Sequence, residues 1–290
     1  MNRLKSLALI WALFWPVSSA LAADASQCSR YAIKIDSFPD GRIRIPVTIE
    51  GRKLSFLLDT GGVSTTIKWE VAKEMHLPVR QSVHQLGGAG GSLLNFYVTA
   101  ENVSVGDVGV KSRPIFLEPR DLPDADGTLA PDILRDYGVE IDVMAGKLSL
   151  ISPDNCTDTA PAVIAMDVTK DGHVRFPVKL DGLTIIATLD TGSTTTIIGA
   201  RVAGLLGVRP NSQGLAFMRS FGRYQIYSYQ FQSLDFGGAS MKSPRIAIAS
   251  NGFTPDTDSG LVLGMDALRQ MHFTIAYGEG RLFISSAQAN

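Results

Sequence analysis

Cysteine and histidine are scarce in this chain. Its 290 residues hold two cysteines, Cys28 and Cys156, and four scattered histidines, His76, His84, His173 and His272. None of them stands at the spacing a zinc site uses, so the sequence predicts no metal and no cofactor. An excess of one charge is lacking as well. The 27 Lys and Arg are offset by 28 Asp and Glu, with no run of either sign, which leaves no basic surface for nucleic acid. Long apolar runs are missing after the first residues, and a bilayer span takes about 20, so no membrane span is expected in the processed protein.

The first residues follow another pattern. Arg3 and Lys5 precede an apolar stretch from Leu7 to Trp15, followed by Pro16 and Ser18-Ser19-Ala20-Leu21-Ala22. A charged start, a short apolar segment and an A-x-A site describe a secretory signal over residues 1–22, and therefore a periplasmic or secreted protein. The remaining 268 residues (290 minus 22) suit two domains of roughly 100–150 residues. An even cysteine count in an exported chain predicts a Cys28–Cys156 disulfide.

What the sequence has is one unusual stretch, twice. Leu58-Asp59-Thr60-Gly61 recurs as Leu189-Asp190-Thr191-Gly192, each after an apolar run and each before small and hydroxyl residues. Asp190 minus Asp59 is 131, and the same shift carries Asp40-Gly41 onto Asp171-Gly172, Arg44 onto Arg175, Pro46-Val47 onto Pro177-Val178, Gly51 onto Gly182, Gly106 onto Gly237 and Lys111-Ser112 onto Lys242-Ser243. After a three-residue slip, Leu129, Asp132 and Leu134 match Leu263, Asp266 and Leu268. A repeat held in register over so long a stretch means one structural unit written twice. The boundaries that follow are an N-terminal lobe over 23–152, a linker over 153–165 and a C-terminal lobe over 166–290.

Within each unit the pattern is β-rich with short helices. Strands are expected over Arg42–Ile49, Lys53–Leu58, Phe96–Val105 and Val110–Leu117, and a helix over Lys68–Met75. A short helix should begin at Asp132, and a closing hairpin should join Val139–Val143 to Lys147–Ile151 around Ala145-Gly146. The second unit repeats the scheme, ending with Phe273–Tyr277 and Arg281–Ser285. The fold class is all-β, two lobes related by a pseudo-two-fold axis.

Equivalent residues near such an axis come close together. A buried strand that delivers a carboxylate into a turn needs a reason, because unpaired charge is costly to bury. Two such strands suggest that Asp59 and Asp190 meet. Carboxyls about 3 Å apart cannot both ionise easily and share one proton. The ionised member can take a proton from water while the other donates one to a carbonyl oxygen, which hydrolyses an amide without a covalent intermediate. Gly61 and Gly192 allow the chain to approach the carboxyls. Thr60 and Thr191 offer hydroxyls across the axis. The Ser193 hydroxyl is expected to donate to Asp190, making that carboxyl the more readily ionised. Asp132 and Asp266 are expected to serve free N–H groups at helix starts, and Arg44 and Arg175 to form ion pairs.

These motifs resemble the aspartic peptidases. The unit length and the segment Gly87-Gly88-Ala89-Gly90-Gly91 are similar to the retropepsins and their substrate-covering flap, and a tandem pair in one exported chain resembles bacterial retropepsin-like proteins arranged in pepsin's two-lobed manner. The resemblance implies that Asp59 and Asp190 are the catalytic pair, supported by Thr60, Gly61, Thr191, Gly192 and Ser193. It implies extended peptide or protein substrate, with apolar side chains expected beside the scissile bond, and a monomer that is itself a pseudo-dimer. Two departures stand out. Val262-Leu263-Gly264 has Thr128-Leu129-Ala130 as its counterpart, and Gly62 stands where the family usually has Ala or Ser. The alternative is a peptide-binding protein that keeps the fold without catalysis. A glycosidase would want its carboxylates about 5–9.5 Å apart and sugar-stacking aromatics near Asp59 and Asp190, which are missing.

Overall fold

The structure is a computed structural model that describes residues 28–87, 93–119, 121–152, 163–221, 224–237, 239–250 and 260–286. The signal sequence, Cys156 and residues 88–91 of the expected flap lie outside the described residues.

The first half contains β1 (Ser29–Lys34), β2 (Asp36–Ser37), β3 (Ile43–Ile49), β4 (Arg52–Leu58), β5 (Thr66–Lys68), α1 (Trp69–Glu74), β6 (Val79–Gly87) and β7 (Leu93–Val98). It continues through β8 (Val103–Val105), β9 (Val108–Gly109), β10 (Ile115–Glu118), β11 (Gly127–Leu129), α2 (Pro131–Leu134), β12 (Gly138–Asp142) and β13 (Lys147–Ser152). The second half repeats the order. It begins with β14 (Val163–Ala165), β15 (Asp167–Val168), β16 (Val174–Leu180), β17 (Leu183–Leu189), β18 (Ile197–Gly199), α3 (Ala200–Leu205), β19 (Ala216–Phe221) and β20 (Tyr224–Gln230). It ends with β21 (Ser233–Asp235), β22 (Ser240–Lys242), β23 (Arg245–Ala249), β24 (Leu261–Leu263), α4 (Met265–Leu268), β25 (Met271–Ala276) and β26 (Arg281–Ser286).

Each half builds one large sheet. Its central order is β7-β10-β5-β11-β4-β3 in the first and β20-β23-β18-β24-β17-β16 in the second. The fold is therefore mostly β, in two sheet-rich lobes. Period-two burial explains the strands: Ile43, Ile45, Val47 and Ile49 point into the core from β3, and Val174, Phe176, Val178 and Leu180 do so from β16. Both hairpins turn on paired left-handed residues, Glu50-Gly51 (φ 46° and 80°) and Asp181-Gly182 (φ 46° and 83°), the backbone that tight two-residue hairpins require.

The halves are joined by a third sheet, in the order β1-β13-β12-β25-β26-β14. Its centre is the pairing of β12 with β25, from Gly138 opposite Ala276 to Asp142 opposite His272. The closing hairpin of each unit thus lies edge to edge with its twin. Glu140 hydrogen-bonds to His272 across this seam at 3.0 Å and pairs with Arg30 of β1.

One strand expected over Phe96–Val105 is two, β7 and β8, and the one expected over Val110–Leu117 is confined to β10 with β9 before it. The break between β7 and β8 has a cause. The Glu50 carboxylate accepts the N–H groups of Glu101 (2.6 Å) and Asn102 (3.2 Å), and Glu50 N–H donates to Asn102 O, so the backbone there is bonded to a turn instead of a ladder. Arg44 also departs from expectation. It makes no ion pair among the described residues, and its guanidinium lies 4.6 Å from the centre of the Phe38 ring.

Candidate active site

β4 and β17 end at equivalent points. Leu58 and Leu189 are fully buried, and the next residue of each strand is the Asp. Asp59 N–H donates to Leu129 O (2.9 Å) and Asp190 N–H to Leu263 O (3.0 Å), so each aspartate is fixed by the strand beside its own.

The repeat then closes on itself. Thr60 N–H donates to Thr191 Oγ1 (3.1 Å), and Thr191 N–H donates to Thr60 Oγ1 (3.0 Å). Each hydroxyl in turn donates to the opposite strand end, Thr60 to Leu189 O (3.0 Å) and Thr191 to Leu58 O (2.8 Å). Both threonines are fully buried. Four reciprocal bonds in a dry environment hold the two turns in fixed relation.

The carboxyls meet as a result. The Asp59 and Asp190 side chains interact electrostatically, and each packs over the glycine of the opposite turn. A Cβ built on Gly61 would lie 2.5 Å from Asp190 Cγ, and one on Gly192 would lie 2.5 Å from Asp59 Cγ. A side chain at either position would push the opposite carboxyl aside, which is the physical reason for Gly at both. Within each turn the backbone supports its own carboxylate: Gly61 N–H donates to Asp59 (3.2 Å), and Gly192 and Ser193 N–H donate to Asp190 (2.9 and 3.1 Å). Burial, first, and the neighbouring Asp59 charge, second, push the Asp190 carboxyl up to about 7 against these donors. That titration belongs to the pair.

Ser193 does not act as its sequence suggested. Its hydroxyl donates to Thr195 O (2.9 Å), and only its backbone N–H serves Asp190. The expected asymmetry, with Asp190 the more easily ionised through that hydroxyl, therefore loses its cause. Gly87 is the last residue of β6, exposed at the start of the expected flap.

Asp132 and Asp266 do more than serve helix starts. Asp132 accepts the N–H of Ile133 in its own short helix, as expected, whereas the Asp266 side chain accepts from Thr196 instead. Asp132 reaches back to the segment after the first turn, accepting from Ser64 Oγ (3.0 Å), Thr65 N–H (3.0 Å) and Thr65 Oγ1 (2.6 Å), besides the N–H of Ile133. Asp266 accepts from Thr196 N–H (2.8 Å) and Thr196 Oγ1 (2.5 Å). Thr65 and Thr196 are 131 apart, so the brace is repeated too. The signal was present in the sequence as two recurring Asp-Thr pairs, but their long separation hid the contact.

The two departures from the family pattern are neighbours. A Cβ on Gly62 would lie 3.3 Å from Ala130 Cβ and 3.2 Å from Asp59 Cγ. The first lobe carries its extra carbon on Ala130 and omits it at Gly62, whereas the second has Ser193 and Gly264. At Gly264 a Cβ would strike Thr195 backbone carbon at 2.5 Å. There Met265 and Asp266 N–H clamp the chain to Ser193 O (2.8 Å) and Thr194 O (3.3 Å). Pro131, in place of Met265, has no N–H with which to do so. Arg42, held by Asp40 at 2.7 Å, donates across the lobes to Gly192 O at 3.4 Å. The residue 131 positions on is His173, so this contact is not repeated.

Two family models match the chain. Residues 45–130 match an aspartyl protease model and residues 176–270 a gag-polyprotein putative aspartyl protease model. The chain belongs to the retropepsin-like aspartic peptidases. The two matches fall on the two copies of the repeat and each includes one D-T-G turn. Among solved structures, basic 7S globulin from soybean has the same fold, with TM-score 0.54, 12% identity, and coverage of 90% of this chain and 95% of that one. A search of curated protein sequences returned no match. Both family matches point to a hydrolase.

Proposed function

We propose that this retropepsin-like protein is an aspartic endopeptidase in which Asp59 and Asp190 share one proton and activate water. The observation that supports this is that two carboxyls from symmetric turns each pack over the glycine of the opposite turn, with the Asp190 carboxyl pushed up to about 7 by burial and by Asp59. Carboxyls brought together in this way suit a water held between them. In the proposed cycle the ionised carboxylate takes a proton from water, and the hydroxide formed adds to the peptide carbonyl carbon. The protonated carboxyl gives its proton to the carbonyl oxygen. Collapse of the tetrahedral intermediate returns a proton to the leaving nitrogen and restores the singly protonated pair.

The substrate is a peptide or protein in extended form, with the segment Gly87–Gly91 acting as its cover. The protein acts as a monomer, exported to the periplasm or beyond after loss of residues 1–22, with Cys28 bridged to Cys156. The alternative, a peptide-binding protein without catalysis, is favoured by this chain's two departures from the family pattern, Gly62 and Ala130. A mixed peptide library separates the two. Wild type should cut, and Asp59→Asn and Asp190→Asn should not. Peptide binding without cleavage across acid and neutral pH would establish the alternative.

A further inference from the structure

One contact at the catalytic turns is made on one side only. Arg42 closes the turn between β2 and β3, where Gly41 takes φ 84° and donates to Phe38 O (2.9 Å), and Phe38 N–H donates to Arg42 O (2.9 Å). Asp40 then fixes the side chain. Its Oδ1 accepts Arg42 N–H (3.1 Å), and its Oδ2 accepts Nε (2.8 Å) and pairs with Nη2 (2.7 Å). A planar guanidinium gripped along that edge presents Nη1 across the lobe boundary to Gly192 O, at 3.4 Å.

The second lobe lacks the equivalent contact. His173 stands 131 positions on, and its Nε2 is buried without a hydrogen-bond partner. What Arg42 touches is the support of Asp190. Gly192 C=O and Ser193 N–H are the two ends of one planar peptide unit. That N–H donates to Asp190 Oδ1 at 3.1 Å, beside Gly192 N–H at 2.9 Å. The next carbonyl, Ser193 O, accepts Met265 N–H at 2.8 Å. The turn is thus held by its own lobe through α4 and by the opposite lobe through Arg42.

We infer that Arg42 is a positioning residue for the catalytic pair: seated on Gly192 O, it orients and polarises the Gly192–Ser193 peptide so that Ser193 N–H holds the Asp190 carboxylate. The inference rests on the endopeptidase reading, and it gives the two sides of the pair an inequality that the Ser193 hydroxyl does not supply. A cation on a carbonyl oxygen draws electron density from the N–H of the same unit and strengthens the bond which that N–H donates. Among the described residues the other neighbours of Asp190 bring no second cation. Asp59 faces it across the axis, with uncharged Gly61 against its carboxyl. The Thr60 and Thr191 hydroxyls donate to the strand ends, and Leu263 O takes the Asp190 N–H. From α4 the Asp266 carboxylate is turned to Thr196, and from α2 Asp132 is turned to Thr65. Removing the guanidinium therefore leaves the charged pair less supported, and each proton leaves at higher pH.

The test is the pH profile of kcat/KM on one cleaved peptide for wild type, Arg42→Met, Arg42→Lys and Asp40→Asn. Arg42→Met should move both limbs of the profile upward, by about half a pH unit or more. Arg42→Lys keeps the cation and should return most of that shift. Asp40→Asn breaks the same ion pair but leaves the guanidinium, so it should not raise the limbs. A purely structural role would lower activity in Arg42→Met and Asp40→Asn alike and leave the limbs in place. Arg42→Gln replaces Arg42→Met should the latter fail to fold. Limbs unmoved by loss of the charge, or moved equally by Asp40→Asn, overturn the inference. If wild type cuts nothing, the catalytic reading fails separately, and the shift is read from thermal melts. The fall in stability that ends near pH 7 in wild type should then extend to higher pH in Arg42→Met, and an unmoved curve overturns the inference.

Discussion

Thr60 and Thr191 hold one another's backbone across the lobe boundary, each accepting the partner's N–H and donating to the partner's strand end. Thr191→Val keeps the shape and removes the hydroxyl. It strands Thr60 N–H and Leu58 O in a dry interior, at about 1–3 kcal/mol for each unpaired group. We expect a stability loss of about 2–6 kcal/mol in denaturant titration, with cleavage reduced because the aspartates lose their alignment. A variant as stable and as active as wild type would contradict this.

Gly61→Ala places a methyl 2.5 Å from Asp190 Cγ. The carboxyl must turn aside, and misplacement on the order of 1 Å costs about a hundredfold in rate. Cleavage should fall at least that far while circular dichroism keeps its β signature.

The Gly62 and Ala130 departures should be coupled. Gly62→Ala alone brings a carbon to 3.3 Å from Ala130 Cβ and should lower both stability and activity. Adding Ala130→Gly should restore much of the loss, giving an interaction energy of about 0.5–3 kcal/mol in a double-mutant cycle. Simple additivity would mean that the two sites do not touch. Gly264→Ala, against the clamped backbone of Thr195, should not be rescued by Ser193→Gly.

The pH dependence follows from the Asp190 carboxyl, whose ordinary value of 3.8 is raised to about 7 by burial and by Asp59. Between those values the folded protein binds a proton that the unfolded chain has released. Stability therefore falls as pH rises from about 4 to 7 and levels off above, the opposite of a salt-bridged aspartate. Asp190→Asn should flatten that slope in thermal melts. Activity needs the singly protonated pair, so kcat/KM should decline as pH passes about 7.

Asp132 braces Ser64 and Thr65 from the start of α2. Asp132→Ala leaves Thr65 N–H unpaired and should cost about 1–3 kcal/mol, and Asp266→Ala, facing Thr196 alone, should cost a similar amount. Guanidinium denaturation measures both.

The meeting of Asp59 and Asp190 was legible in the sequence, because a constant offset of 131 demands symmetry and symmetry brings equivalent residues to an axis. The strand alternation in Ile43–Ile49 was legible for a similar reason: period two is written in adjacent residues. What escaped were contacts between residues far apart in the chain. The Ser193 hydroxyl had two acceptors within reach, and spacing alone favoured the wrong one. Asp132 stood at a helix start, where a local role is the default and is in fact met through Ile133 N–H, but its further partners lay 68 and 67 residues earlier.

The pairing of β12 with β25 has a consequence for the isolated halves. A polypeptide ending after β13 would present the bare edge of β12, a row of unsatisfied N–H and C=O groups. The strand best matched to that edge in length and pattern is a second β12. Cutting the gene in two should therefore yield a self-associating fragment, a symmetric dimer that covers with two chains the seam this protein covers with one.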